Sequence, residues 1–368
     1  MTAETAYVPV DVIRRLMVDV FVGLGVPADD ADVCADVLIT SDLRGIESHG
    51  IGRLKMYFDR IRAGVQFPTT EFRVVRDRGA TAVVDGGHGM GHVIGVRSMR
   101  MAIDKAKEFG LGAVAVRNST HYGIAGYYAL MAVRAGMAGL VTTNARPSIA
   151  PTFGVEPMLG TNPVTFGCPT DEPFPFVIDC ATSITQRGKI EVLARDGKPT
   201  PAGWAIDAEG RPHTDTPALL EDLVTRAAAL LPLGGAGELL GGHKGYGYAT
   251  MVEILSAALQ GGSHTRGLLG WADGERVPYK LGHFFLAIDI AHFTELEAFQ
   301  ATAGAICRAL RTSQRIPGEE RIWTAGEKEH EIEARRREEG VPINPALQAD
   351  IKAMESELKL SGYDFPFY

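Results

Sequence analysis

Apolar positions recur at helical spacing through residues 9–63 and then change character. The run "PVDVIRRLMVDVFVGLG" spaces its apolar residues three and four apart and stops at Gly23 and Gly25, which predicts a first helix. "PADDADVCADVLITSDL" predicts a second: Pro27 opens it, and its early acidic residues complement the positive end of the helix dipole. "GIGRLKMYFDRIRAG" predicts a third, and the extended "GVQFPTTEF" marks a boundary.

From about residue 72 short apolar runs alternate with amphipathic ones. Strands are expected at "FRVVRD", "TAVVDG", "LGAVAVRNS", "MAGLVTTN", "PVTFGCP", "FPFVIDCA" and "HFFLAIDI". Helices are expected at "VIGVRSMRMAIDKAKEFG", closing on Gly110, at "AGYYALMAVRAG" and at "YGYATMVEILSAALQGG". Such alternation predicts an α/β lobe. "GLLGWADGERVPYKLG" looks like a mobile surface insertion, and three helical stretches follow residue 292. The expected organisation is a helical part over 1–72, an α/β domain over 73–292, and a helical part over 293–368 packing with the first. Pockets favour the interface between such lobes.

Composition removes several classes. A chain of 368 residues with 45% hydrophobic and 22% charged residues is ordinary for a globular protein of two or so lobes. A net charge of −8 without a basic stripe argues against a nucleic-acid partner. No apolar run is long enough to span a membrane, and the N-terminus lacks the pattern of a signal peptide. Four scattered cysteines without CxxC spacing point to thiols in a reducing cytoplasm and to no metal site.

Candidate chemistry gathers at strand ends and glycine clusters. His121, in "RNSTHYGIAGYY", follows a strand, has polar neighbours, and is flanked by Gly123 and Gly126, which allow close approach. His49, Arg53 and Tyr57 recur every four residues and would share one helix face. An arginine grips a carboxylate with two hydrogen bonds, and a histidine passes a proton near neutral pH. Together they suit a 2-oxo or 2-hydroxy acid; ordinary solvated charges are the alternative.

"VVDGGHGMGHVIG" lacks GxGxxG spacing and reads as a packing turn. "LPLGGAGELLGGHKGYGYATM" offers Lys244 before a helix, either a phosphate site or a surface loop. Asp179, Thr182 and Ser183 either cradle a cofactor or cap a helix. Arg146 is a second anion clamp or a surface charge, and "SQRIPGEERIW" is by default a turn.

With these stretches in place the chain resembles the type 2 malate/L-lactate dehydrogenase family, which includes sulfolactate and ureidoglycolate dehydrogenases and cyclic imine reductases. The matching segments are "DLRGIESHGIGRL", "RNSTHYGIAGYYALMA", "GTNPVTFGCPT", "IDCATSITQRGKIE", "GGHKGYGYATMVEIL" and "PGEERIW"; "TNARP" and "GGHKGYG" are nearest the malate/lactate branch. Residues 263–281 depart from the pattern.

The resemblance implies an NAD- or NADP-dependent oxidoreductase, with NAD favoured, on a non-Rossmann nucleotide-binding lobe with a mixed sheet. It also implies a homodimer. It maps the catalytic histidines onto His49 and His121 and the substrate arginine onto Arg53. Cofactor segments map onto Tyr122–Gly123, Asp179, Ala181, Thr182, Ser183, His243–Lys244, and Pro317, Gly318 and Glu319. On this reading hydride passes between C2 of malate or L-lactate and the nicotinamide. His121 exchanges the hydroxyl proton, His49 orients the substrate oxygen, Tyr57 walls the pocket and Arg146 grips a distal carboxylate. The alternatives are a sulfolactate dehydrogenase, a cyclic ketimine reductase or, outside the class, a nucleotide-binding regulatory protein.

Overall fold

The computed structural model describes residues 4–368. The chain enters through β1 (Ala6–Val8), α1 (Val10–Gly23) and α2 (Ala28–Leu43). Two separate 3-10 turns, Glu47–His49 and Ile51–Arg53, then lead into α3 (Leu54–Arg62). Gly50 sits between the two turns. A Cβ there would lie 1.9 Å from Asp42 Oδ1, so the chain passes too close to this carboxyl group for any larger residue.

Next come β2 (Arg73–Arg78), β3 (Thr81–Asp85), α4 (Gly91–Phe109), β4 (Leu111–Ser119), α5 (Ala125–Arg134), β5 (Met137–Thr143), β6 (Val164–Cys168) and β7 (Phe176–Cys180). Gly110 ends α4 as expected, with a left-handed φ of 79°. α6 (Arg187–Arg195), β8 (Ala205–Asp207), α7 (Thr216–Thr225) and β9 (Ala228–Leu230) fill a stretch whose periodicity is too weak to predict elements. α8 (Gly242–Leu255) follows. The insertion then folds into a small hairpin, β10 (Trp271–Ala272) with β11 (Glu275–Arg276). The chain finishes with β12 (Leu281–Asp289), α9 (Leu296–Arg311), α10 (Glu327–Glu339), β13 (Val341–Ile343) and α11 (Pro345–Leu358).

A seven-stranded mixed sheet in the order β2-β3-β4-β12-β5-β6-β7 forms the centre. β3 and β4 are parallel, and the other neighbours in this sheet are antiparallel. β12 inserts between β4 and β5, pairing Leu281 with Ser119. That pairing carries the end of the insertion to the loop that holds His121.

α4 and α5 pack on the sheet through glycines. A Cβ on Gly112 would lie 1.9 Å from Ala102 O, and one on Gly139 would lie 2.9 Å from Ala132 Cβ. Side chains alternate across a strand, so Thr142, one residue out of phase with the α5-facing Gly139 and Val141, points the other way. Its hydroxyl meets Ser256 Oγ at 3.1 Å, just past α8.

Both chain ends share one apolar core. Leu16, Phe21, Leu38 and Tyr57 pack with Ile343, Ile351 and Phe365, and β1 pairs antiparallel with β13. Burying each such side chain contributes about 2 kcal/mol. α10 lies along α2, where Arg44 meets Glu333 at 3.5 Å and Arg336 pairs with Glu47. α9 packs elsewhere: Arg308 binds Asp171 at 2.8 Å, and the Asp171 amide donates to Gln300 O. No helix among the described residues is long and apolar enough to cross a membrane.

Candidate active site

The loop after β4 rests on the glycine-rich turn before α4. Thr120 Oγ1 accepts from Gly91 N–H at 3.0 Å and donates to Gly89 O at 2.8 Å. A Cβ on Gly91 would lie 2.4 Å from the carbonyl oxygens of Thr120 and His121. The "GGHGMGH" turn therefore serves packing, as its spacing predicted. Gly123, with φ of 79°, then turns the chain away.

The rings of His49 and His121 stack with centroids 5.5 Å apart and planes 24° apart. The Tyr57 hydroxyl meets His121 Nδ1 at 2.5 Å, and Gly123 N–H points at the same nitrogen from 3.4 Å. Nε2 of His121 has no protein partner among the described residues. It is also not sealed off, unlike both ring nitrogens of the neighbouring His92. Ser48 Oγ holds His49 Nδ1 at 2.9 Å.

The site keeps its imidazoles neutral. Burial lowers the His121 pKa well below its ordinary value, and the charges of His49, Arg60 and Arg53 add to that. Burial, then Arg53, pushes His49 down to about 4. Tyr57 is buried against Phe21 and His92, and burial holds its proton on well above the usual phenol range.

The expected helical ladder of His49, Arg53 and Tyr57 is not present. His49 ends one 3-10 turn, Arg53 ends the next, and only Tyr57 lies in α3. The glycines break the helix at this point, yet His49 and Tyr57 both reach His121.

Arg53 donates from Nε to Ser48 O at 2.6 Å and makes no ion pair among the described residues. Arg60, absent from the sequence-based candidates, lies one turn beyond Tyr57 on α3. Its guanidinium sits 4.3 Å over the Tyr279 ring. Burial lowers its pKa, and the charges of Arg53 and Arg146 lower it further. Helical spacing from Tyr57 was the available signal. Arg146 is exposed just beyond β5.

Asp42 anchors the two 3-10 turns. Its Oδ2 accepts Ile51 N–H at 2.7 Å, while Oδ1 has no partner among the described residues. Burial pushes its pKa up to about 8, and the nearby Glu47 charge also raises it. The folded protein therefore keeps a proton here that the unfolded chain, with an aspartate pKa of about 3.9, releases. Unfolding then releases a proton at pH values between those two, so stability falls as pH rises through that window, by at most about 1.4 kcal/mol per unit. Asp42→Asn is expected to flatten that slope. Thermal melts of both proteins across pH 5 to about 8 check it, and an unchanged slope would reject the assignment.

The cofactor candidates are dispersed. Asp179 accepts Gly126 N–H at 2.7 Å and the Thr165 hydroxyl at 2.8 Å, which places a carboxylate at the start of α5. Thr182 donates to Asn162 O at 3.0 Å and Ser183 to Thr185 O at 2.6 Å. These hydroxyls do not cap a helix: α6 begins after Gln186, without a side-chain cap, and the two hydroxyls are taken by Asn162 O before β6 and by Thr185 O in the intervening loop. Ala181 lies half-buried beside them. The Cβ position of Gly188, in the first turn of α6, lies 4.0 Å from Ser48 Cβ. α6 therefore starts beside the His49 turn.

Tyr122 is buried, its ring stacked 4.3 Å from His283 and 4.8 Å from Tyr128, with its hydroxyl unpartnered among the described residues. His243 and Lys244 are exposed in the first turn of α8. Lys244 lines a cleft of about 430 Å³ with Gly234, Glu238, Leu239, Gly241 and Tyr248. Pro317, Gly318 and Glu319 form an exposed turn, with φ of 92° at Gly318.

Neutral imidazoles beside unpaired guanidiniums, on a mixed α/β scaffold, are the equipment of a hydroxyacid dehydrogenase: proton exchange with an alcohol and grip on an acid. The family model for malate/L-lactate dehydrogenase matches residues 8–352. The malate dehydrogenase of Pyrococcus horikoshii is 45% identical over 356 residues, covering 96% of each chain. The L-sulfolactate dehydrogenase of Methanocaldococcus jannaschii is 37% identical over 352 residues, covering 96% of this chain and 97% of that one. The crystal structure of malate dehydrogenase from Entamoeba histolytica superposes with a TM-score of 0.94 at 42% identity, covering 98% of this chain and 99% of that one. The chain belongs to the malate/L-lactate dehydrogenase family, and its relatives imply a nicotinamide cofactor.

Proposed function

We propose that the enzyme interconverts a 2-hydroxy acid and its 2-oxo acid, namely malate and oxaloacetate or L-lactate and pyruvate. The carrying observation is His121, held by Tyr57 at Nδ1 and open at Nε2, stacked on His49 near Arg53. Arg53 binds the C1 carboxylate. During oxidation Nε2 of His121 takes the hydroxyl proton while Nδ1–H donates to Tyr57 Oη. During reduction Nε2 returns that proton to the substrate oxygen, and Nδ1 keeps its own proton, still donated to Tyr57 Oη. His49 orients that oxygen. Arg146, on the rim, adds charge toward a distal carboxylate.

The residues present fit a dinucleotide. Gly234 approaches the start of α8 so closely that a Cβ would lie 2.6 Å from Gly241 C. Lys244 stands at the dipole-positive end of that helix without an ion pair among the described residues. Lys244 and His243 would hold phosphate, Asp179 to Ser183 and the Tyr122–Gly123 backbone would border the nicotinamide, and the 317–319 turn would contribute further. When bound, the cofactor accepts or supplies the hydride at C2. Glu238 in the same cleft suits a ribose hydroxyl better than a 2′-phosphate, which favours NAD.

We read a helical lobe from 1–72 with 293–368 around an α/β domain at 73–292; the core that β1 to α3 share with β13 and α11 supports it, while α9 packs against Asp171 and Glu172 of the α/β part. A sheet with one parallel strand pair and a chain without GxGxxG support a non-Rossmann nucleotide site. An outward apolar stripe on and after α8, with Tyr248, Met251, Ile254 and Leu259 exposed, supports a homodimer. Four free cysteines suit the cytoplasm.

The test is nicotinamide absorbance with NADH or NADPH against oxaloacetate, pyruvate, sulfopyruvate and a cyclic imine. Fastest consumption of oxaloacetate or pyruvate with NADH is expected. Turnover of none of the oxo acids would overturn the reading.

A further inference from the structure

The insertion at 263–281 is fastened to the site. Asn144, buried after β5, donates from Nδ2 to Ser263 O at 3.2 Å and accepts Gly282 N–H at Oδ1 at 2.8 Å, so one side chain ties both ends. Glu253 accepts Thr265 N–H at 2.8 Å, and His88 Nδ1 bonds Tyr279 O at 2.8 Å. The Tyr279 ring also packs on Gly270, whose Cβ position lies 2.9 Å from it. Tyr279 is thus fixed at both backbone and ring.

Arg60 lies against that fixed ring, 4.3 Å from its centre. An aromatic face orients a guanidinium but does not neutralise it. Arg60 is largely enclosed, makes no ion pair with a carboxylate among the described residues, and contributes with Arg53 to the charge felt by His121. An enclosed, unpaired arginine is costly unless an anion arrives. Arg53 supplies the grip for one carboxylate, so a second unpaired cation, one helical turn beyond the Tyr57 that touches His121, calls for a second anionic group.

We infer that Arg60, seated over Tyr279, receives the distal carboxylate or sulfonate of a dianionic 2-hydroxy acid and sets which acid the enzyme prefers. Tyr279 is its positioning residue, which gives the departing insertion a role in specificity. Arg146, exposed at the rim, is secondary. The inference rests on the proposed hydroxyacid reading but assigns a residue that reading does not use.

The test compares kcat/KM for oxaloacetate, sulfopyruvate and pyruvate in wild type, Arg60→Gln and Arg146→Gln. Arg60→Gln is expected to lower the oxaloacetate value on the order of 100-fold and the pyruvate value by less than about 5-fold. A sulfopyruvate loss larger than the oxaloacetate loss assigns the subsite to a sulfonate. Tyr279→Leu should raise KM for the preferred dianion with kcat retained, and Tyr279→Phe should restore it, because the ring face remains. Equal losses on mono- and dianionic acids, or greater discrimination lost in Arg146→Gln, would overturn the inference. Calorimetric titration of wild type and Arg60→Gln with malate, sulfolactate and lactate keeps this separate from the reaction. Selective loss of dianion binding supports the subsite even if no acid is turned over, and no selective loss rejects it.

Discussion

His121→Ala is expected to lower kcat by about 1,000-fold, within the range of general acid–base catalysis, while nicotinamide nucleotide still binds. The imidazole is the group with a ring nitrogen, Nε2, that is neither bonded nor sealed among the described residues. His49 already has Nδ1 held by Ser48, and His92 is sealed. The substitution also leaves the buried Tyr57 hydroxyl without its partner, at a cost of about 1–3 kcal/mol, so a melt must accompany the kinetics. His121→Asn, which can still bond Tyr57, should recover stability but not rate. In wild type the depressed pKa keeps His121 neutral down to well below the ordinary histidine value of about 6.5. Oxidation, which needs the neutral ring, should therefore hold its kcat/KM as pH falls through that value. Retention of kcat within a few-fold in either variant would remove His121 from the chemistry.

How much of this was legible depends on how local each feature is. Helices at both chain ends and strands at the centre follow from apolar periodicity, because each element's own residues face its own core. "LGAVAVRNS" and "MAGLVTTN" became β4 and β5 for that reason. Three-residue strands such as β8 and β9 carry too few positions for a period to show. The order of the sheet was hidden for a different reason. β12 enters between β4 and β5 from more than a hundred residues away, and no local pattern encodes that pairing.

The site divides along the same line. "THYG" announced His121 because a strand end, polar neighbours and glycines coincide within a few residues. "SHGIGR" announced His49 and Arg53, but the spacing suggested a helix face where the glycines and Asp42 impose two 3-10 turns. Thr182 and Ser183 read equally well as a helix cap, and what decides against it is the Asn162 carbonyl before β6 for Thr182 and the Thr185 carbonyl for Ser183. Arg60 and Tyr279 lie on segments that meet only through the insertion of β12, so neither could be recognised as half of a pair.

Arg53→Gln should show its defect mainly in substrate binding: KM for the oxo acid rises on the order of 100-fold, the scale of one lost charge-assisted, two-pronged contact. Its Nε bond to Ser48 O fixes the fork from behind and leaves the terminal nitrogens without an ion pair among the described residues. Arg53→Lys should recover little, because an ammonium cannot reproduce that planar fork. A second consequence follows from the field. Arg53 is the charge that, after burial, depresses His49, and it also helps depress His121. Removing it lets both imidazoles titrate at higher pH, so the acid limb of kcat/KM for oxidation should move upward in Arg53→Gln. A merely structural arginine would change stability without raising KM selectively or moving that limb, so unchanged KM and an unchanged pH profile would deny Arg53 its role.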